Sequence, residues 1–178
     1  MTFPDYKQVI ILGAGPAGLA VGRELACHGV DFAILEKGAV AGESFTRFPR
    51  NIFLGPWLNN TLPGSTVGWS WLLRRSTPSA YAYYLGEYAR HNRLPLFTDV
   101  SVLSVKRESG GFVVETSRGN CACQLIINAT GYFNKPYTPE YGGLSTTGVR
   151  HIHVSEYRSP ETVRRLLGAE KGRVLIVG

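Results

Sequence analysis

Val9-Ile10-Ile11-Leu12-Gly13-Ala14-Gly15-Pro16-Ala17-Gly18-Leu19-Ala20-Val21-Gly22, followed at Asp31 by Asp-Phe-Ala-Ile-Leu-Glu36, is the stretch whose reading decides the fold. Gln8–Leu12 is short, apolar and rich in β-branched residues, which predicts a strand. Pro16–Cys27 has helical character, with proline at its start and His28-Gly29 as a left-handed stop. A second apolar run, Asp31–Leu35, ends on Glu36. Strand, helix and strand in this order form a βαβ unit.

The glycines of Gly13-x-Gly15-x-x-Gly18 have separate physical roles. The first permits a tight turn, the second lets a diphosphate approach the backbone, and the third allows helix and strand to pack closely; Gly22 extends that packing. Backbone N–H groups and the positive end of the helix dipole at Pro16–Gly18 would bind the diphosphate, with Ala14 and Ala17 inside the same turn. Glu36 lies eighteen residues after Gly18, near the separation of about 20 expected for the acid that accepts the ribose hydroxyls. A carboxylate there repels a 2′-phosphate, so the site favours FAD or NAD over NADP.

The chain has 178 residues, enough for one domain with a real core and short for two. It is 44% hydrophobic and 18% charged, with a mean hydropathy of −0.04, as expected of a globular protein. The net charge of +6 comes from scattered Lys and Arg instead of a stripe, so an anionic cofactor explains it more simply than nucleic acid. No apolar run approaches a membrane span and the N-terminus lacks a signal pattern, which predicts a cytoplasmic protein with no integral membrane segment. Cys27, Cys121 and Cys123 lack metal-ligand spacing, and His151 with His153 make a poor metal pair. Cys121 and Cys123 fall on one face of a strand as packed thiols. No metal site is expected.

Beyond Glu36, Lys37–Phe45 is turn-rich and without periodicity, so something other than regular structure must order it. Trp57, Trp69 and Trp71 are interspersed with prolines, asparagines and glycines, a composition that suits pocket-lining loops and plain packing equally. Thr77-Pro78 starts an amphipathic helix that carries Tyr81, Tyr84, Leu85 and Tyr88 and ends near Asn92. Strands are predicted at Phe97–Arg107, Phe112–Thr116 and Ala122–Asn128, a three-stranded antiparallel β-meander crossing over within the parallel sheet. Its last strand delivers Ala129-Thr130-Gly131-Tyr132 to the sheet's carboxyl edge, where ligands of open α/β sheets bind. Ser159-Pro160 opens a short helix that Gly168 ends. The terminal Val174-Leu175-Ile176-Val177-Gly178 repeats the pattern of the first strand and its glycine, as if a second dinucleotide fold began there.

Taken together, Gly13–Gly18, Glu36, Gly42-Glu43-Ser44-Phe45, Ala129-Thr130-Gly131-Tyr132 and the terminal Val-Leu-Ile-Val-Gly resemble the flavin-containing monooxygenases and their Baeyer–Villiger relatives over nearly the whole chain. The resemblance implies an α/β fold: a Rossmann-like FAD-binding domain at residues 1–150, a linker at 151–172, and the first strand of an NAD(P)-binding domain at 173–178. It implies that Gly42, Glu43, Ser44 and Phe45 stand where a Gly-Gly-x-Trp segment wraps the FAD diphosphate, with Glu43 replacing the second glycine. Lys37 adjoins the ribose-binding acid, backbone at Val102 meets the adenine, and Ala129, Thr130 and Gly131 pass close to the cofactor.

By the same resemblance Asn59, or equally Asn60, stands near the flavin ring as the catalytic asparagine; a turn-forming Asn pair is the alternative. His153 and Tyr157 fit the second half of a domain-linker signature, while Thr147 and Val149 depart from its first half. The implied activity uses FAD, NADPH and O2 to oxygenate a small-molecule substrate through a C4a-(hydro)peroxyflavin. A stand-alone FAD-binding module and another FAD/NAD(P)H-dependent oxidoreductase are the alternatives. Disulfide reductases of like architecture need a cysteine pair with two or four residues between its members beside the flavin, and this sequence has none. With the second glycine-rich turn stopping at Gly178, poor flavin reduction by NADPH is expected of this chain alone.

Overall fold

The computed structural model describes residues 2–65, 73–132, 135–144, 146, 148–168 and 172–177. Its first elements follow the sequence closely: β1 (Tyr6–Leu12), α1 (Pro16–Cys27) and β2 (Phe32–Leu35). Two short helices, α2 (Glu43–Thr46) and α3 (Trp57–Asn60), precede α4 (Pro78–His91), which Thr77 caps by accepting the Ala80 N–H at 3.2 Å. Then come β3 (Leu96–Phe97), β4 (Val102–Glu108), β5 (Gly111–Thr116) and β6 (Gly119–Asn128), a 3₁₀ turn at Val154–Glu156 and α5 (Pro160–Leu167). No helix among the described residues is long and apolar enough to cross a membrane.

All six strands belong to one sheet, ordered β3-β2-β1-β6-β5-β4. The strands β3, β2, β1 and β6 run parallel, with Ile10 level with Ala33 on one side and Ile126 on the other. Antiparallel pairing joins β6 to β5 and β5 to β4. The meander is therefore less an insertion than an extension, because its last strand is also the fourth parallel strand.

Alternation along the central strands builds two cores. Val9, Ile11, Phe32 and Ile34 face one way, onto Leu19 of α1 and Tyr81, Leu85 and Tyr88 of α4. Ile10, Ala33 and Leu35 face the other way and meet Val100, Val114, Cys121 and Cys123 from the meander. The parallel strands are thus covered on both sides, which their almost uninterrupted apolar sequence requires. Both paired thiols are in the second core, and burial pushes Cys121 up to about 11.

One strand assignment needs correction. Phe97–Arg107 reads as a single strand, but the chain divides it between β3 and β4 at opposite ends of the strand order. The break is at Asp99, whose φ is +55° and whose N–H donates to the Gly38 carbonyl at 3.0 Å, while the Val100 N–H donates to the Glu36 carbonyl at 2.9 Å. The link is thereby pinned across the end of β2. Arg173–Val177 takes no strand, and Leu175 and Ile176 are exposed. Trp69, Trp71, Thr147 and Gly178 lie outside the described residues.

Candidate dinucleotide-binding site

The carboxyl ends of β1, β2 and β6 open into a cleft of about 440 Å³. Its walls come from the turn after β1, the residues after β2, the segment before and within α2, Val100 just before β4 with Val102 at its start, and the segment after β6. Among the residues chosen from sequence, Gly13, Gly15, Pro16, Ala17, Glu36, Lys37, Gly42, Glu43, Ser44, Phe45, Val102, Ala129, Thr130 and Gly131 all line it. Ala14 and Gly18 do not line it but shape the turn, Ala14 through its bond to Glu36 and Gly18 through its contact with the Gly13 carbonyl.

The glycines divide by what their surroundings demand. Gly13 has a φ of +105°, and a Cβ there would lie 2.5 Å from the Ala129 carbonyl oxygen. At Gly18 it would lie 2.0 Å from the Gly13 carbonyl oxygen, so helix and turn touch with no room for a methyl group. Gly15 differs from both: its φ is −77°, open to any residue, and nothing stands within 4 Å of where its Cβ would be. The fold itself does not require glycine at this position. A ligand resting on the backbone would. Gly15 is also the N-cap of α1, with no side chain capping the helix and no acid in its first turn, which leaves its N–H groups available to an anion.

Glu36 is 9% exposed and is held from two sides. The Ala14 N–H donates to its Oε2 and the Gly38 N–H to its Oε1, each at 2.8 Å. Each oxygen keeps a further lone pair, enough to accept a vicinal diol. These bonds also tie the turn after β1 to the loop after β2, so the same carboxylate organises the site and lines the cleft.

The aperiodic Lys37–Phe45 passage is ordered by α4. The Gly42 N–H donates to the Ala14 carbonyl at 2.9 Å; Gly42 has a φ of +67°, and a Cβ there would meet Leu85 Cδ1 at 2.6 Å. Phe45 packs edge-on against Tyr81 with ring centroids 4.8 Å apart. On the opposite wall, Asn128 Oδ1 accepts from the Thr130 N–H at 3.2 Å and from Thr130 Oγ1 at 2.8 Å. This closes the turn that presents Ala129–Gly131, where Gly131 has a φ of +83°.

Asn59 is exposed on α3 and does not line the cleft. Asn60 is engaged structurally, its Nδ2 donating to the Gly55 carbonyl at 2.8 Å and to Ser76 Oγ at 3.3 Å. His153 and Tyr157 also lie away from the cleft. The His153 ring accepts from the Ser155 N–H at 3.1 Å and its backbone N–H donates to Glu156 at 3.1 Å, a capping box around the 3₁₀ turn. Arg50 N–H donates to the Arg158 carbonyl at 3.1 Å and ties this segment to the loop after α2.

Arg47 and Tyr132 line the cleft and were not among the residues chosen from sequence. Arg47 sits one turn after Glu43, a helical spacing that is hard to see in a four-residue helix. Tyr132 directly follows Ala-Thr-Gly and was quoted with that segment without being assigned to the site.

A phosphate-binding turn, a ribose-type acid on the second strand and a cleft at the carboxyl edge of a parallel sheet define a dinucleotide-binding α/β protein. The chain belongs to the pyridine nucleotide-disulphide oxidoreductase family, whose model matches residues 10–178. It is 30% identical over 96% of its length to an oxidoreductase named CzcO-like from Geobacillus kaustophilus, covering 47% of that protein. It is 31% identical over 95% of its length to the probable indole-3-pyruvate monooxygenase YUCCA1 of Arabidopsis thaliana, covering 41% of it. The flavin-containing monooxygenase from Stenotrophomonas maltophilia superposes with a TM-score of 0.80 at 25% identity, over 89% of this chain and 48% of that one. The chain thus spans about half the length of the relatives it matches.

Proposed function

We propose that this chain is the FAD-binding part of a flavin-dependent monooxygenase that uses NADPH and O2 on a small-molecule substrate. The observation that carries the reading is Gly15, a glycine that the protein's own conformation and packing do not need. It opens an uncapped helix directly across the turn from Glu36. A dinucleotide fits this arrangement: its diphosphate takes the N–H groups of Gly15 and Ala17 and its ribose takes the Glu36 carboxylate. Lys37, Val102, Ala129, Thr130 and Gly131 line the rest of the bed.

When bound, the flavin supplies the hydride acceptor and the oxygen-reactive carbon. The chain's own share is positioning and exclusion of water. Leu12, Leu35, Val100 and Phe45 line the cleft with apolar surface, and α4 stiffens the α2 wall. Asn59 is proposed to serve near the flavin ring, on the family resemblance. A cytoplasmic location fits this role.

Thiol–disulfide exchange, which the family's description names, is disfavoured by the placement of the cysteines. Cys121 and Cys123 are shut in the core between sheet and meander, and Cys27 ends α1. Burial raises the thiol pKa of both core residues, which suppresses the reactive thiolate.

The test is a titration of the apoprotein with FAD, followed by anaerobic mixing with NADPH in the presence of the rest of the polypeptide that its relatives carry. Saturable FAD binding competed by ADP, then flavin bleaching by NADPH and oxygen uptake on aeration, supports the reading. Failure to bind FAD would overturn it.

A further inference from the structure

We propose that Glu43 and Arg47 form an opposed charge pair on the cleft wall that sets how tightly the cofactor's diphosphate is held, Arg47 drawing the anion in and Glu43 offsetting that attraction. This rests on the FAD reading and assigns a role within the same cleft.

Both residues line the cleft that Gly13, Gly15 and Pro16 also line. Glu43 opens α2 and Arg47 directly follows it, and the helix is tied to the turn after β1 by the Gly42 N–H bond to the Ala14 carbonyl. The two side chains differ in freedom. Glu43 is confined: its Cβ and Cγ lie 2.5 Å from where a Cβ on Gly38 would be, so only a glycine at 38 gives the chain room to pass. Its carboxylate therefore stays beside the loop that carries Glu36.

Arg47 is more than half exposed, and its guanidinium lies 3.8 Å from Glu43 Oε1. A pair that long and that wet holds an arginine weakly. The guanidinium can turn from the carboxylate to a diphosphate, whose charge-assisted bonds are stronger. Glu43 occupies the place of a glycine in the pattern that this segment resembles, so its charge is an addition at a site built for an anion. A carboxylate fixed there repels the diphosphate. With Arg47 beside it, the two effects oppose each other and the cofactor is held exchangeably.

The test compares wild type, Glu43→Gln, Arg47→Gln and the double variant, each titrated by calorimetry with FAD, ADP and riboflavin at two salt concentrations. Glutamine preserves the packing against Gly38, and thermal melting checks that each variant is folded. Glu43→Gln is expected to tighten FAD and ADP by about threefold to tenfold at low salt, with the gain shrinking at high salt. Arg47→Gln is expected to weaken both by about tenfold, since it also leaves Glu43 uncompensated. The double variant should return to within about threefold of wild type, and riboflavin, which lacks phosphate, should not respond. Wild type that binds FAD while Glu43→Gln and Arg47→Gln match it would overturn the charge-pair proposal alone. Wild type that binds neither FAD nor ADP would overturn the FAD reading and this proposal with it.

Discussion

Single glycines separate what the fold requires from what the ligand requires. Gly18→Ala places a methyl group 2.0 Å from a backbone oxygen, so the helix must leave the turn; a loss of several kcal/mol in stability is expected, seen as a collapsed denaturation midpoint. Gly15→Ala meets nothing and has an ordinary φ. Its stability should stay within about 0.5 kcal/mol of wild type, while its affinity for FAD falls, and matched melting and titration curves check both halves. Glu36→Gln keeps the shape but sets an amide N–H against one of the two backbone donors that the carboxylate now accepts. Loss of charge-assisted bonds worth about 1.5–3 kcal/mol should weaken FAD binding by at least tenfold in a fluorescence titration. The placement of Gly13, Gly15 and Gly18 in one turn with Glu36 beside it was legible in the sequence because the motif is local in spacing. The second duty of Glu36, joining two loops, was not legible, because its partners Ala14 and Gly38 donate through their backbones.

At the scale of elements, α4 is the support of the α2 wall. Leu85 is fully buried and presses on Gly42, so Leu85→Ala should cost about 2–5 kcal/mol in urea unfolding and also loosen FAD. Thr77→Ala removes the cap on Ala80 and should cost about 1 kcal/mol with no change in FAD affinity. The meander makes its own prediction through Cys121. Burial holds its thiol pKa near 11 against the usual 9.0, so the native chain keeps a proton that the unfolded chain releases. Its contribution to stability is complete below about pH 9 and fades between pH 9 and 11. Urea midpoints measured across that range should fall, and Cys121→Ala should flatten the decline. The three longer helices α1, α4 and α5 and most strands were readable from periodicity and turn residues, whereas the single-turn helices α2 and α3 are too short to show a period. The division of Phe97–Arg107 was not, since the bonds that impose it run from Asp99 and Val100 to Gly38 and Glu36, more than sixty residues away in sequence.

At the scale of the whole molecule, the two cores on either side of the parallel strands leave the carboxyl edge of the sheet as the place where chain segments from five parts of the sequence converge. The segments after β1 and after β6 contribute mostly backbone and small residues, while the charged groups Glu36, Lys37, Glu43 and Arg47 come from the segments after β2 and at α2. The central claim is that the cofactor held in this cleft is FAD. Its most direct test is identification by mass of the small molecule released when the purified, unreconstituted or FAD-incubated protein is denatured. FAD at close to one equivalent per chain is expected; recovery of NAD, or of no nucleotide even after incubation with FAD, would rule out FAD as the cofactor.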